Sequence, residues 1–208
     1  SPSIIRGYDG IVYAAENGAD VINCSWGGSG YLESQKEMID YAISLGALVV
    51  AAAGNTGSEA VGTPGAYPNV LCVANTDSND KVNPSSTYGS WVDVSAPGTN
   101  ILSLNISSDA AYRNATGTSM ASPLVAGLAG LVKSRFPQMT PQQIAAQIRV
   151  TADDIDGTQQ SRYVGKIGSG RVNAYQALTE SSPAILLADW SWSDSLTGNG
   201  DRILDRGE

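Results

Sequence analysis

The most informative segment of the chain reads Asn114-Ala115-Thr116-Gly117-Thr118-Ser119-Met120-Ala121-Ser122-Pro123 and continues into an apolar stretch that ends at Phe136. Apolar residues recur in it at spacings of three and four, which predicts a buried helix over residues 119–136. Ser119 follows two small residues and lies at the predicted helix N-terminus, where the dipole and free N–H groups favour negative charge. Two interpretations follow: Ser119 only caps the helix, or it is a nucleophile.

A second segment lies upstream and reads Ala47-Leu48-Val49-Val50-Ala51-Ala52-Ala53-Gly54-Asn55. An apolar run of this length predicts a buried parallel strand. Ligands of an open α/β sheet bind beyond the carboxyl ends of its strands, which is where Asn55 lies. An Asn after Gly also suits an ordinary turn. The two segments together make the turn the weaker interpretation.

Four further segments occur in order along the chain. They are Asp20-Val21-Ile22-Asn23-Cys24-Ser25-Trp26-Gly27-Gly28, Val61-Gly62-Thr63-Pro64-Gly65-Ala66-Tyr67-Pro68, Val92-Asp93-Val94-Ser95-Ala96-Pro97-Gly98 and Gly168-Ser169-Gly170-Arg171-Val172-Asn173-Ala174. With the first two segments, they resemble the subtilisin-like serine proteases over residues 1–180.

The resemblance implies acyl transfer, in which Ser119 attacks a peptide carbonyl while the Asn55 side chain and the Ser119 backbone N–H hold the oxyanion. It also implies a substrate strand paired with Ser25–Gly27. The implied substrate-binding residues are Ser25, Trp26, Gly27, Gly28, Ala52, Ala53, Gly54 and Gly62. None of them is charged, which predicts an apolar or aromatic residue before the cut. Thr56 and Glu59 are the positions that could change this preference.

Trp26 replaces a smaller aliphatic residue common in the family. It either narrows a neighbouring subsite or serves ordinary packing. The resemblance further implies a cis peptide at Thr63-Pro64. It also implies a weak calcium or sodium site, because oxygen ligands suit these cations. The implied ligands are the carbonyls of Gly65, Tyr67 and Val70 and the carboxylate of Asp93.

The 208 residues contain no histidine. The family triad appears in chain order Asp, His, Ser, so its first two members would precede residue 1. We therefore expect the nucleophile-bearing part of a secreted endopeptidase, inactive alone, whose partner is the N-terminal half of the same catalytic domain. The alternative is a non-catalytic relative used for binding or scaffolding. The presence of both Ser119 and Asn55 favours the protease.

The expected fold is α/β, a three-layer sandwich with a parallel sheet that lacks the N-terminal strands carrying Asp and His. Strand 20–25 should form the open edge of this sheet. Cys24 and Cys72 should lie two strands apart, about 9.6 Å, beyond disulfide reach, and so be buried free thiols. We expect strands at 20–25, 47–53, 69–75 and near 91–94, and helices from Ile4 to a turn at 16–18 and at 33–45, 119–136, 141–151 and 172–179.

Composition narrows the partners. The net charge is -8 and the pI is about 4.4, so nucleic acid and anionic membranes are poor partners. Hydrophobic residues make up 42% of the chain, which fits a buried sheet and excludes a disordered protein.

The composition changes after Glu180. Residues 181–208 predict a linker and the start of a truncated, β-rich accessory domain. Asn199, Asp201, Asp205 and Glu208 fall at places three, five, nine and twelve of a calcium loop that begins at Thr197. Arg202 replaces the usual glycine at place six, and a solvated acidic turn is the alternative.

Overall fold

A parallel sheet forms the centre of the protein in the computed structural model, which describes residues 6–180. Its four strands lie in the order β1-β2-β3-β4. The strands are β1 (Val21–Cys24), β2 (Leu48–Ala52), β3 (Leu71–Thr76) and β4 (Val94–Pro97), and a separate antiparallel pair consists of β5 (Ile101–Leu104) and β6 (Tyr112–Ala115). The helices are α1 (Gly7–Glu16), α2 (Glu33–Ser44), α3 (Thr118–Arg135), α4 (Pro141–Val150) and α5 (Ala174–Thr179), with a short 3-10 turn at Asp156–Thr158.

Helices cover both faces of the sheet. Successive side chains of a strand point to opposite faces, and β2 divides its residues accordingly. Leu48 and Val50 join a core with α3, α4 and α5, whereas Val49 and Ala51 join a core with α1 and α2. Every residue of β2 is buried for this reason. The predicted three-layer α/β sandwich is confirmed.

Strand β1 forms one edge of the sheet. Its residues pair in register with β2, from Val21 opposite Leu48 to Cys24 opposite Ala51, and within residues 6–180 it has a neighbour on that side only. Cys24 and Cys72 lie on β1 and β3 with β2 between them, and both are buried and free, as predicted. The open edge of β1 is therefore available for another strand.

The helix termini follow their local sequence signals. Thr140 caps α4, accepting from the Gln143 backbone N–H, while the Gln143 side chain accepts from the Thr140 N–H. Pro141 occupies the first turn, where its missing N–H costs nothing. Asn17 and Gly18 end α1, with Gly18 at φ 82°. These boundaries match the predicted ones within two residues.

One predicted strand lies later in the chain than expected, and one pair of strands was not predicted. The strand expected near 91–94 begins at Val94, because the Val92 N–H donates to the Gly89 carbonyl in a turn that delays pairing with β3. The β5–β6 pair was not predicted, because it is short and exposed and shows no alternation between apolar and polar residues. The predicted start of α1 at Ile4, the accessory domain and the calcium loop lie outside the described residues.

Candidate active site

Ser119 is the second residue of α3, at the helix end that meets the carboxyl ends of the strands. The N-cap position of α3 is occupied by Gly117, and no side chain caps the helix. Ser119 lies two residues further on, so the interpretation of Ser119 as the cap is wrong. The Ser119 hydroxyl instead donates to the Ser25 carbonyl, with an oxygen–oxygen distance of 3.0 Å. Ser25 directly follows β1, so Ser119 contacts the end of the edge strand.

Asn55 lies three residues beyond β2 and contacts the first turn of α3. Its side-chain oxygen accepts from the backbone N–H of Thr118 at 2.9 Å. The Thr118 hydroxyl is also 3.3 Å from this oxygen and accepts from the Gly54 N–H at 3.1 Å. Both contacts hold the amide by its oxygen, which leaves Nδ2 as the donor end. The structure thus holds Asn55 against the residue before Ser119, and Asn55 and Ser119 line the same cavity.

Gly117 makes this approach possible. A Cβ atom at Gly117 would lie 3.2 Å from Oδ1 and 3.3 Å from Nδ2 of Asn55. These distances are shorter than ordinary van der Waals contacts. A side chain here would therefore push the amide away from Ser119.

A cavity of about 400 Å³ opens beside Ser119. All the predicted substrate-binding residues except Ser25 line it. Its lining residues are Trp26, Gly27, Gly28, Ser29, Ala52, Ala53, Gly54, Asn55, Thr56, Ala60, Val61, Gly62, Thr63, Thr87, Thr118 and Ser119. None of these side chains carries a charge, and the apolar ones suit an apolar ligand group.

Thr56 and Glu59 are the two positions that could have changed the substrate preference of the pocket, and only Thr56 lines it. Thr56 lines the cavity, and its hydroxyl lies 2.9 Å from that of Thr87. Glu59 is absent from the lining and pairs with Lys166 at 2.6 Å. The pocket therefore gains two hydroxyl groups and no charge.

A short backbone bridge closes the pocket. Gly28 and Thr63 exchange two hydrogen bonds of 2.9 Å each, so the Gly28 backbone is already paired and serves as pocket wall. The Thr63-Pro64 peptide is cis, as predicted. Trp26 lines the cavity and packs edge-on against Tyr8, with 5.2 Å between the ring centroids.

No strong base accompanies the Ser119 hydroxyl among the described residues. Its acceptor is a backbone carbonyl, which cannot take a proton at neutral pH. Burial raises the pKa of Cys24 to about 12 and that of Tyr8 to about 12, so both stay protonated at neutral pH. The described residues position a serine without activating it.

Two of the predicted cation ligands share a cavity. Val70 and Asp93 line a second cavity of about 300 Å³, but Gly65 and Tyr67 do not. The Asp93 carboxylate accepts the Cys72 N–H at 2.8 Å and lies 3.6 Å from the Arg149 guanidinium. Burial raises the Asp93 pKa, and Cys72 and Arg149 oppose this shift. A single carboxylate beside a guanidinium fits only a weakly held cation.

Two features are absent from the described part of the chain, a cluster of metal-binding side chains and a helix able to span a membrane. Within residues 6–180, no group of three or more His, Cys, Asp or Glu residues could hold a metal ion. In the same part of the chain, none of the helices combines the length and apolarity needed to cross a membrane.

The fold and the site are those of an α/β protein with a serine at a helix N-terminus beside an uncharged cleft. The Subtilase family model matches residues 4–170, and the chain belongs to this family. Thermitase from Thermoactinomyces vulgaris is 46% identical over 170 residues, covering 82% of this chain and 58% of thermitase. A thermophilic serine proteinase from Bacillus sp. (strain AK1) is 43% identical over 172 residues, which cover 82% of this chain and 40% of that proteinase.

Solved structures agree with this assignment. A protease of Pseudoalteromonas arctica PAMC 21717 matches with a TM-score of 0.74 and 36% identity over 82% of this chain and 57% of its own. Fervidolysin from Fervidobacterium pennivorans, a keratinolytic enzyme related to subtilisin, matches with a TM-score of 0.74 and 32% identity. The match covers 85% of this chain and 29% of the fervidolysin chain. The chain spans about half the length of the curated relatives it matches.

Proposed function

We propose that this chain supplies the nucleophile, the oxyanion site and the primary specificity pocket of a serine endopeptidase. The observation that carries the proposal is the anchoring of Asn55 to Thr118, next to Ser119. The contact occupies the amide oxygen and leaves Nδ2 as a donor, which supports a role in binding the oxyanion that forms when Ser119 attacks a carbonyl. A protein that only binds its partner has no need of such a donor.

The general base must come from outside these 208 residues, because they contain no histidine. In the complete enzyme, an imidazole would take the Ser119 proton as the hydroxyl attacks the peptide carbonyl, and the same group would protonate the leaving amine. The segment that carries this imidazole is proposed to pair with the free edge of β1, close to Ser25 and Ser119.

The substrate is proposed to be an extended polypeptide with an apolar or aromatic residue before the cut. The backbone at Ser25–Gly27 continues an edge strand and can pair with an added strand. The cavity beside Ser119 is lined by groups without charge, so the Lys or Arg side chain of a substrate would find no charged partner there. We also propose that the complete enzyme is secreted, as the family resemblance implies.

The first experiment assays the purified 208-residue chain with a peptide anilide. It should show no measurable hydrolysis, because losing the histidine of a subtilisin triad costs about a millionfold in turnover, a value measured on subtilisin itself. Addition of a subtilase segment bearing the triad Asp and His should restore activity. Ser119→Ala should abolish it, whereas the exposed control Ser103→Ala should retain it. Ready hydrolysis by the chain alone would contradict the proposal.

The missing histidine is also the observation that favours the alternative, a non-catalytic binding or scaffolding protein. The two functions separate in the same experiment. Assembly with the added segment, seen by size-exclusion chromatography, but without hydrolysis would favour the scaffold. Assembly with hydrolysis that depends on Ser119 would establish the protease.

A further inference from the structure

A proline interrupts the hydrogen bonding of α3 at the nucleophile. Each helical carbonyl accepts from the N–H four residues later, and the partner of the Ser119 carbonyl would be residue 123. That residue is Pro123, which has no N–H. The carbonyl of Ser119 therefore has no donor within its own helix.

The Ser25 hydroxyl supplies the missing donor. Its oxygen lies 2.9 Å from the Ser119 carbonyl oxygen. The contact is reciprocal, because the Ser119 hydroxyl donates to the Ser25 carbonyl at 3.0 Å. Two hydrogen bonds thus join the nucleophile to the end of the edge strand β1.

The Ser25 hydroxyl has two further polar neighbours. Asn23 Nδ2 lies 2.8 Å and Ser122 Oγ 3.1 Å from the Ser25 oxygen. A hydroxyl has one hydrogen and two acceptor positions. If the hydrogen of Ser25 goes to the Ser119 carbonyl, both neighbours must donate. Ser122 is fully buried, whereas Asn23 is exposed on β1.

We infer that Ser25 is a positioning residue that replaces the helix N–H lost at Pro123, and that Asn23 and Ser122 hold its hydroxyl in the donating direction. The consequence for turnover rests on the proposed function, since it requires that Ser119 be the nucleophile. The hydrogen-bond assignment itself concerns the chain alone. It makes a side chain on the free sheet edge, Asn23, part of the support of Ser119.

Hydrogen exchange on the intact 208-residue chain tests the assignment without any activity. The Met120 and Ala121 amides, both bonded to the Gly117 carbonyl, report on the first turn of α3. Ser25→Ala leaves the Ser119 carbonyl without a donor and should speed their exchange about tenfold to a hundredfold. Buried amides of β3 should keep their rates, which separates local opening from global unfolding.

Substitutions at Asn23 make the sharper comparison. Asn23→Ala removes one of the two donors that hold the Ser25 hydrogen on the Ser119 carbonyl and leaves Ser122 as the other, so exchange should rise only slightly. Asn23→Asp is isosteric, and its carboxylate accepts the Ser25 hydrogen instead, so exchange should rise as in Ser25→Ala. Gln138→Glu, exposed beyond the other end of α3, controls for the added charge. Equal rates for Asn23→Asp and Asn23→Ala would overturn the inference.

Pro123→Ala provides an internal test. Alanine restores the N–H four residues after Ser119, so the Ser25→Ala effect on exchange should shrink at least fivefold in this background. A purely structural role of Ser25, unrelated to this carbonyl, predicts the same factor in both backgrounds. Additive effects would therefore count against the assignment.

Turnover is measured last, in the enzyme completed with the Asp- and His-bearing segment. Ser25→Ala and Asn23→Asp should lower kcat about tenfold with little change in KM, because the substrate still binds while the nucleophile is misplaced. Unchanged kcat would restrict the network to stability and refute its catalytic consequence. If the unsubstituted enzyme is inactive, the proposed function fails, and the exchange experiment still decides the hydrogen-bond assignment.

Discussion

The side-chain oxygen of Asn55 and the first residue of α3, Thr118, form a two-point contact: the Thr118 N–H donates at 2.9 Å and its hydroxyl lies at 3.3 Å. The backbone part of this contact exists for any residue at position 118. The hydroxyl part, together with the 3.1 Å bond from the Gly54 N–H, depends on the side chain. The orientation of the Asn55 amide, the proposed oxyanion donor, therefore depends partly on the side chain of Thr118.

Thr118→Val should expose that contribution. Valine keeps the shape and the backbone bond but loses the hydroxyl, so Asn55 is held less firmly. We expect kcat of the completed enzyme to fall about tenfold with KM nearly unchanged, because the oxyanion forms only after the substrate is bound. Thr118→Ser keeps the hydroxyl and serves as the control. A loss confined to KM would show that Thr118 contacts the substrate instead.

The places of Ser119 and Asn55 in the fold could be predicted because hydrophobic periodicity is a local signal, whereas their roles were implied by the family resemblance. The apolar run before Asn55 and the helical spacing after Ser119 place both residues at the carboxyl edge of a parallel sheet. The contacts around Ser25 could not be predicted in this way. They depend on which hydroxyl meets which carbonyl across about a hundred residues of sequence, from Ser25 to Ser119.

Substitution of Gly62 can introduce a charged side chain into the proposed specificity pocket. A Cβ atom at Gly62 would meet only the carbonyls of Ala53 and Gly28, each at 3.7 Å, so a side chain fits there. Gly62→Asp should raise kcat/KM for a substrate with Lys before the cut, relative to Phe, by about tenfold or more, since a charged hydrogen bond contributes about 1.5 to 3 kcal/mol. Gly62→Asn adds the same bulk without the charge. Equal ratios for the two variants would place Gly62 outside the pocket.

Two glycines should respond to alanine in opposite ways. Gly10 lies within α1 with open space around it, so Gly10→Ala should raise the free energy of unfolding by about 0.5 to 1 kcal/mol. Gly170 has φ +120°, and a Cβ there would lie 2.0 Å from the Asp153 carbonyl oxygen. Gly170→Ala should cost about 3 kcal/mol or more. Urea unfolding monitored by circular dichroism measures both, and a stable Gly170→Ala would contradict the backbone geometry.

The Asp153 carboxylate should contribute a stability that disappears in acid. Hydrogen bonds from Asn173 and Arg171 hold its pKa below the ordinary 3.8. A depressed folded-state pKa gives stability that is complete above the ordinary value and is lost as the pH falls through the folded-state value. Asp153→Asn should therefore be less stable than the unsubstituted chain at pH 7, and the difference should shrink below pH 3.8. Unfolding titrations from pH 7 to pH 2.5 measure it, and a constant difference would refute this role.

Arg149 should limit the proposed cation site at Asp93. Its guanidinium, 3.6 Å from the Asp93 carboxylate, repels a cation that would use this oxygen with the carbonyls of Gly65, Tyr67 and Val70. Arg149→Gln should therefore increase the rise in Tm produced by millimolar calcium, since a ligand of the folded state stabilises it by mass action. Asp93→Asn should abolish that rise, and magnesium, which demands stricter geometry, should produce less. Equal calcium responses in Arg149→Gln and Asp93→Asn would show that these residues form no cation site.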